Sequence, residues 1–102
     1  GINAEYGEMP QSSNSEAKQF FSTYFNKQIY VITNENTILL GLFKALEYDK
    51  SLMMTNITQF VLVDDNHVEF PQESDHKGWI KLERKHMVIP GRMVKQIFLK
   101  NE

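Results

Sequence analysis

A chain of 102 residues, 41% apolar and 24% charged, has the length and composition of one globular domain rather than of a disordered or fibrous segment. The absence of cysteine excludes a disulfide scaffold, a thiolate metal site and a cysteine nucleophile and fits a reducing compartment, and no apolar run approaches the roughly eighteen residues of a membrane span. The net charge of −2 divides unevenly, −7 over residues 1–76 and +5 over 77–102, but the late charges alternate with strand-forming residues, as in Lys81, Glu83 and Lys85, a pattern that the solvated face of a sheet explains without a phosphate partner.

In chain order, residues 1–14 are polar and lack the apolar centre of a signal peptide, so they read as a flexible tail or an expression remnant, leaving 15–102 as the domain. Ser15 suits a helix N-cap, and Phe20, Phe21, Tyr24 and Phe25 fall at helical spacing on one face, predicting a short amphipathic helix over 15–26. So short a helix needs tertiary packing, and its aromatic face predicts a lid over the end of a barrel.

Gln28–Thr33 is β-branched and aromatic, the 34–36 stretch Asn-Glu-Asn is a turn, and 37–47 resumes strand character, which together predict a hairpin. Gly41 in mid-strand predicts a sharp bend or bulge, as small barrels require. A third strand is expected over 52–63. The polar stretch 64–78, in which Val68 and Phe70 could extend a strand, is long for a connection and reads as a variable excursion. Trp79–Ile89 and 92–99 are the last two strands, and Pro90-Gly91 between them is a strong turn signal where a small barrel should close.

Little in the chain points to catalysis. His67, His76 and His86 are isolated in sequence without metal-ligand spacing, and loop solvation accounts for the first two. Asp64, Asp65, Asn66 and Glu69 lack the glycine and terminal acid of a calcium loop, and Ser51 and Thr55 lack a recognisable base. The expectation is a chain that is not an enzyme, with no metal, no cofactor and no small-molecule substrate.

One helix followed by five strands, with a bent second strand and a glycine corner before the last, resembles the Sm and Sm-like (LSm) proteins. Val31, Ile38, Gly41, Leu42, Tyr48 and Asp49 match the first motif of that family, and Val88, Ile89, Gly91, Val94 and Ile97 match the second. The resemblance covers residues 16–99 and implies a mainly β, Sm-like fold: an N-terminal α-helix followed by a strongly bent five-stranded antiparallel sheet forming a small open barrel. RNA-binding members of the family use an Asn after the motif aspartate and an Arg in the turn. Here Met53 or Ser51 stands at the first position and Pro90 at the second, and none of these offers the planar, paired donors of Asn and Arg.

The segment from Met87 to Ile97, with Pro90-Gly91 in the turn, is similar to a branch of the family, the Sm-like auxiliary subunits of the N-terminal acetyltransferase C (NatC) complex. That similarity implies a non-catalytic, cytoplasmic subunit that binds a scaffold subunit through its helix and strand edges, with Phe21, Phe25, Met87, Ile89, Met93 and Ile97 as partner-binding candidates. The alternative that the family implies is an RNA-binding LSm ring subunit of pre-mRNA splicing or mRNA decay, nuclear or cytoplasmic. Its partners would be other LSm chains, and a degenerate uridine pocket would be built from Tyr48, Asp49, Gly91 and Arg92. On either reading, the apolar strands of 79–99 predict a domain that does not remain monomeric at micromolar concentration.

Overall fold

The computed structural model describes residues 2–7, 14–66 and 69–100, with side chains described from Ser15 onward. One helix and six strands follow in the order β1 (Ile2–Gly7), α1 (Asn14–Tyr24), β2 (Gln28–Thr33), β3 (Thr37–Leu46), β4 (Leu52–Leu62), β5 (Trp79–Ile89) and β6 (Val94–Lys100). The strands form one antiparallel sheet in the order β1-β6-β2-β3-β4-β5. From the helix onward this is the expected plan of one helix and five bent strands. Two strands, β2 and β5, begin and end where the residue pattern placed them.

Several features depart from expectation. Residues 2–7, expected as tail, form a strand whose Ile2 and Gly7 lie opposite Lys100 and Ile97 of β6. Helix α1 starts at Asn14, so Ser15 lies inside it rather than capping it. The last strand begins at Val94 because Gly91–Met93 first makes a 3-10 turn, closed by Met93 N–H donating to the Pro90 carbonyl at 3.0 Å.

The sheet bends because its sequence makes it bend. Gly41 sits where β3 crosses β4, and a Cβ there would lie 2.9 Å from Ile57 Cγ1 and 3.0 Å from the Thr55 carbonyl oxygen. A register shift across Gly41, at Leu40/Leu42, and a second at Phe43/Ala45 accompany this close approach. On β4, Asn56 adopts φ 52°, a left-handed conformation that Asn tolerates better than most residues. Leu52 and Met54 before it and Ile57 after it therefore all reach the same core.

That core is the barrel interior. It gathers Ile29 and Val31 of β2, Leu39 and Phe43 of β3, Leu52, Met54 and Ile57 of β4, Ile89 of β5 and Ile97 of β6. Helix α1 closes one end by inserting Phe20 and Tyr24, with the Phe20 ring edge-on to Phe43 at 5.4 Å. Burying each such aromatic is worth about 2–3 kcal/mol. The four aromatics of the helix thus divide: Phe20 and Tyr24 are the lid, while Phe21 and Phe25 remain exposed.

A second core lies on the opposite face of the sheet, made by Tyr30, Ile38, Leu40 and Phe60 with Ile32, Trp79 and Phe98 against it. The described residues 69–78 of the connection lie against it, and so are no loose excursion. Phe70 meets Tyr30 edge-on at 4.9 Å, and Pro71 is fully buried. Trp79 Nε1 donates to the Glu69 carbonyl at 3.1 Å, and Lys100 Nζ pairs with Glu73 at 3.1 Å. His76, expected to be solvated, is instead half-buried, with its ring 6.2 Å from Phe60. His67 and Val68 lie outside the described residues.

Candidate functional site

Two surfaces bring the sequence candidates together. The first is built from the β3–β4 turn and the Pro90-Gly91 corner. Glu47 N–H donates to the Ser51 carbonyl at 2.8 Å, Lys50 N–H to the Glu47 carbonyl at 2.9 Å and Ser51 N–H to Asp49 Oδ1 at 3.0 Å, which makes a tight turn with Lys50 at φ 70°. The backbone N–H of Ser51, and then its side chain, hold the Asp49 carboxyl below its ordinary value. One oxygen of Asp49 is thus engaged by its own loop.

Gly91 packs against this turn so closely that a Cβ on it would lie 2.6 Å from the Lys50 carbonyl oxygen. The loop that carries Tyr48 and Asp49 and the corner that carries Gly91 and Arg92 therefore abut, with Lys50 and Gly91 at the contact. The opposite side of the corner is tied to the β2–β3 turn, where Asn34 N–H donates to the Met93 carbonyl at 3.0 Å and Asn34 Nδ2 to the Arg92 carbonyl at 3.3 Å.

The chemistry of this convergence is sparse. The Tyr48 ring is fully solvent-exposed, and Arg92 is exposed in the corner. Ser51 is buried at the foot of the turn, while Met53 lies two residues on, exposed on β4 opposite Val88. Neither carries an amide, and Pro90 places no donor in the corner. Among the described residues, no group of three His, Asp or Glu is arranged to hold a metal ion, and no helix is long and apolar enough to cross a membrane.

The second surface is the outer face of α1. Phe21 and Phe25 stack at 4.5 Å, Phe21 also touches Phe43 at 5.9 Å, and Lys44 Nζ stands 5.8 Å over the Phe25 ring while donating to Asn26 Oδ1 at 2.6 Å. An open groove lined by Ala17, Lys18, Phe21, Ser22 and Leu46 runs alongside. Phe21 and Phe25 are therefore available to a partner. Ile89 and Ile97, expected with them, are not: both are buried in the barrel, where their apolar side chains complete the core. Met87 and Met93 are half-buried against the same core.

No family model and no curated protein matches this chain by sequence. Solved structures do match by shape. A chain of the NatC complex crystallised with CoA superposes with a TM-score of 0.56 at 16% identity, covering 79% of this chain and 84% of that one. The P. aerophilum Sm heptamer gives 0.58 at 14% identity over 83% and 93% of the two chains. The Pyrococcus abyssii Sm protein in complex with a uridine heptamer gives 0.55 at 12% identity over 81% and 96%. The chain has the Sm-like fold.

Proposed function

We propose that this chain is a non-catalytic subunit of a cytoplasmic protein complex, the Sm-like auxiliary subunit of an N-terminal acetyltransferase assembly of the NatC type. The observation that carries the reading is Pro90. It stands in the corner where the RNA-binding relatives implied by the sequence would place an arginine, and the loop beside it offers no amide in compensation. The stacked, exposed Phe21 and Phe25 would supply a partner surface. A chain of the NatC complex is among the structures of like fold, as are the Sm heptamers.

In this reading the subunit docks on a scaffold subunit through the α1 face and a strand edge, and contributes no group to the acetyl transfer. The test is co-expression with the scaffold and catalytic subunits of a NatC assembly, followed by purification on the scaffold. Stoichiometric recovery is expected, with loss on Phe21→Ser/Phe25→Ser. Tight, salt-dependent, uridine-selective binding of single-stranded RNA by the chain, together with no recovery on the scaffold, would overturn the reading in favour of an LSm ring subunit.

A further inference from the structure

Residues 69–78 lie as a strap over the outer core, and few contacts hold it there. At its start, Phe70 and Pro71 pack inward, Trp79 Nε1 donates to the Glu69 carbonyl, and Lys100 Nζ pairs with Glu73. Its far end is closed by the backbone. Trp79 N–H donates to the His76 carbonyl at 2.9 Å, and the Val63 and Asp64 N–H groups both donate to the Gly78 carbonyl, at 2.9 and 3.1 Å. His76 sits in this end, its ring tilted against Phe60.

Among the described residues, His76 Nδ1 is the buried side-chain polar atom without a hydrogen-bond partner. A neutral imidazole tolerates this, because its bare nitrogen is an acceptor only. A second proton would make that nitrogen a charged donor, sealed from solvent with nothing to receive it, which is costly. The groups packed around the ring offer no relief. On the strap, Glu73 is taken by Lys100, and Glu69, Asp75 and Lys77 line a small cleft that His76 does not border. From β5, Lys81 stands opposite Phe60 and so adds a like charge on that face, while Glu83 receives Thr58 Oγ1 at 3.3 Å and lies 4.0 Å from Lys81. β4 presents Phe60, β6 the already paired Lys100, and β2 the Tyr30 hydroxyl.

We propose that the strap of residues 69–78 is a proton-gated cover: it stays closed over Phe60 while the His76 ring is neutral, and its His76 end lifts away when that ring takes a second proton. The closed strap binds fewer protons at His76 than the open one, so closure holds at higher pH and weakens as pH falls. Opening bares the aromatic side of the outer core, Phe60 and Trp79 first, and leaves the barrel interior untouched. Imidazoles exchange their charge between about pH 5 and 8, so the gate answers to mild acidity. It does not depend on which complex the chain serves.

Trp79 is the chain's single tryptophan and is bonded to the strap through both its backbone and its indole, so its emission maximum reads the gate. Taking the intact chain from about pH 8 to about pH 5 is expected to move that maximum to the red. Over the same range the exchange protection of the Trp79, Val63 and Asp64 amides should fall about tenfold, once corrected for the intrinsic pH dependence, while amides paired between β2 and β3 keep theirs. The His76 ring titration, followed by NMR, should share its midpoint with the emission shift. His76→Phe keeps a ring against Phe60 and should abolish both changes, whereas His86→Gln, on the exposed part of β5, should leave them in place.

An emission maximum that stays fixed over this range, a shift that persists in His76→Phe or vanishes in His86→Gln, or a loss of protection throughout the sheet would each overturn the proposal. A His76 titration whose midpoint differs from that of Trp79 would do the same. The shared midpoint is read on the unaltered chain, so the test stands even where His76→Phe fails to fold.

Discussion

Gly91 and the carbonyl of Lys50 are in such close contact that the Pro90-Gly91 corner and the β3–β4 turn act as one unit, with room for a hydrogen but not a methyl group between them. Gly91→Ala is expected to force the loops apart and to cost about 1–3 kcal/mol, or roughly 5–15 °C in thermal midpoint. Chemical denaturation checks the first figure and calorimetry the second. Gly41→Ala should behave similarly, since its Cβ would meet Ile57 and the Thr55 carbonyl.

Asn56 tests whether the kink in β4 is a matter of backbone conformation. Its φ of 52° is free to glycine and strained for a β-branched residue. Asn56→Gly should leave stability within about half a kcal/mol, whereas Asn56→Val should lose about 1–2 kcal/mol. Urea midpoints of the pair, with equal slopes, are the measurement.

Phe70 holds the 64–78 connection on the outer face. Its removal as Phe70→Ala is expected to cost about 1–3 kcal/mol, less than for a fully buried ring because Phe70 is only half-buried. Burial raises the Tyr30 hydroxyl above its ordinary 10.0; among the charges, Lys100 opposes the shift and Glu73 adds to it. The folded state therefore holds this proton more tightly than the unfolded one. The associated stability is fully present below pH 10 and is lost as pH rises through the raised value. Phe70→Ala should bring the Tyr30 ring titration, followed by NMR, back toward 10.0 and so flatten the alkaline loss of stability that the raised value produces.

Asp49 gives the opposite sign. Its lowered carboxyl, held first by the Ser51 backbone N–H and then by the Ser51 side chain, favours the fold above the ordinary value of 3.8, and that contribution fades as pH falls through the lowered one. Ser51→Ala removes the hydroxyl while keeping the N–H, so the Asp49 midpoint should rise part of the way to 3.8. Carboxyl-carbon NMR shifts report it directly.

Phe21 and Phe25 separate binding from folding. With both rings exposed, Phe21→Ser/Phe25→Ser should shift the thermal midpoint by only a few degrees, while Phe20→Ser should unfold much of the population. Circular dichroism melts distinguish the two outcomes.

Much of this architecture was legible because it is local. The alternation of Gln28–Thr33, the glycine at 41 and the Pro90-Gly91 pair each specify backbone geometry within a few residues, and the strands and bends follow. What was not legible depends on partners distant in the chain. Phe20 and Phe21 are neighbours in one aromatic stretch and both meet Phe43, yet only Phe20 is buried, because it enters the barrel core together with Tyr24. Asn56 is a polar residue in an apolar strand, and nothing nearby announces a left-handed φ. The polar composition of 64–78 masks the two residues, Phe70 and Pro71, that seat it on the sheet. Residues 2–7 have no strand signature of their own, and their strand exists because β6 lies alongside. Ile89 and Ile97 looked like edge residues by sequence, and only the closure of the sheet places them inside.

The two-sided sheet also sets an order of events during synthesis. Tyr30, Ile38, Leu40 and Phe60 are made first, and apart from Ile32 the residues packed against them, Phe70, Trp79 and Phe98, are made later. At ribosomal rates the residues from 60 to 98 take roughly two to eight seconds to appear. For that interval the nascent hairpins carry a bare aromatic and aliphatic face, long enough for a chaperone to find it. A chain truncated before residue 70 would never lose its claim on one.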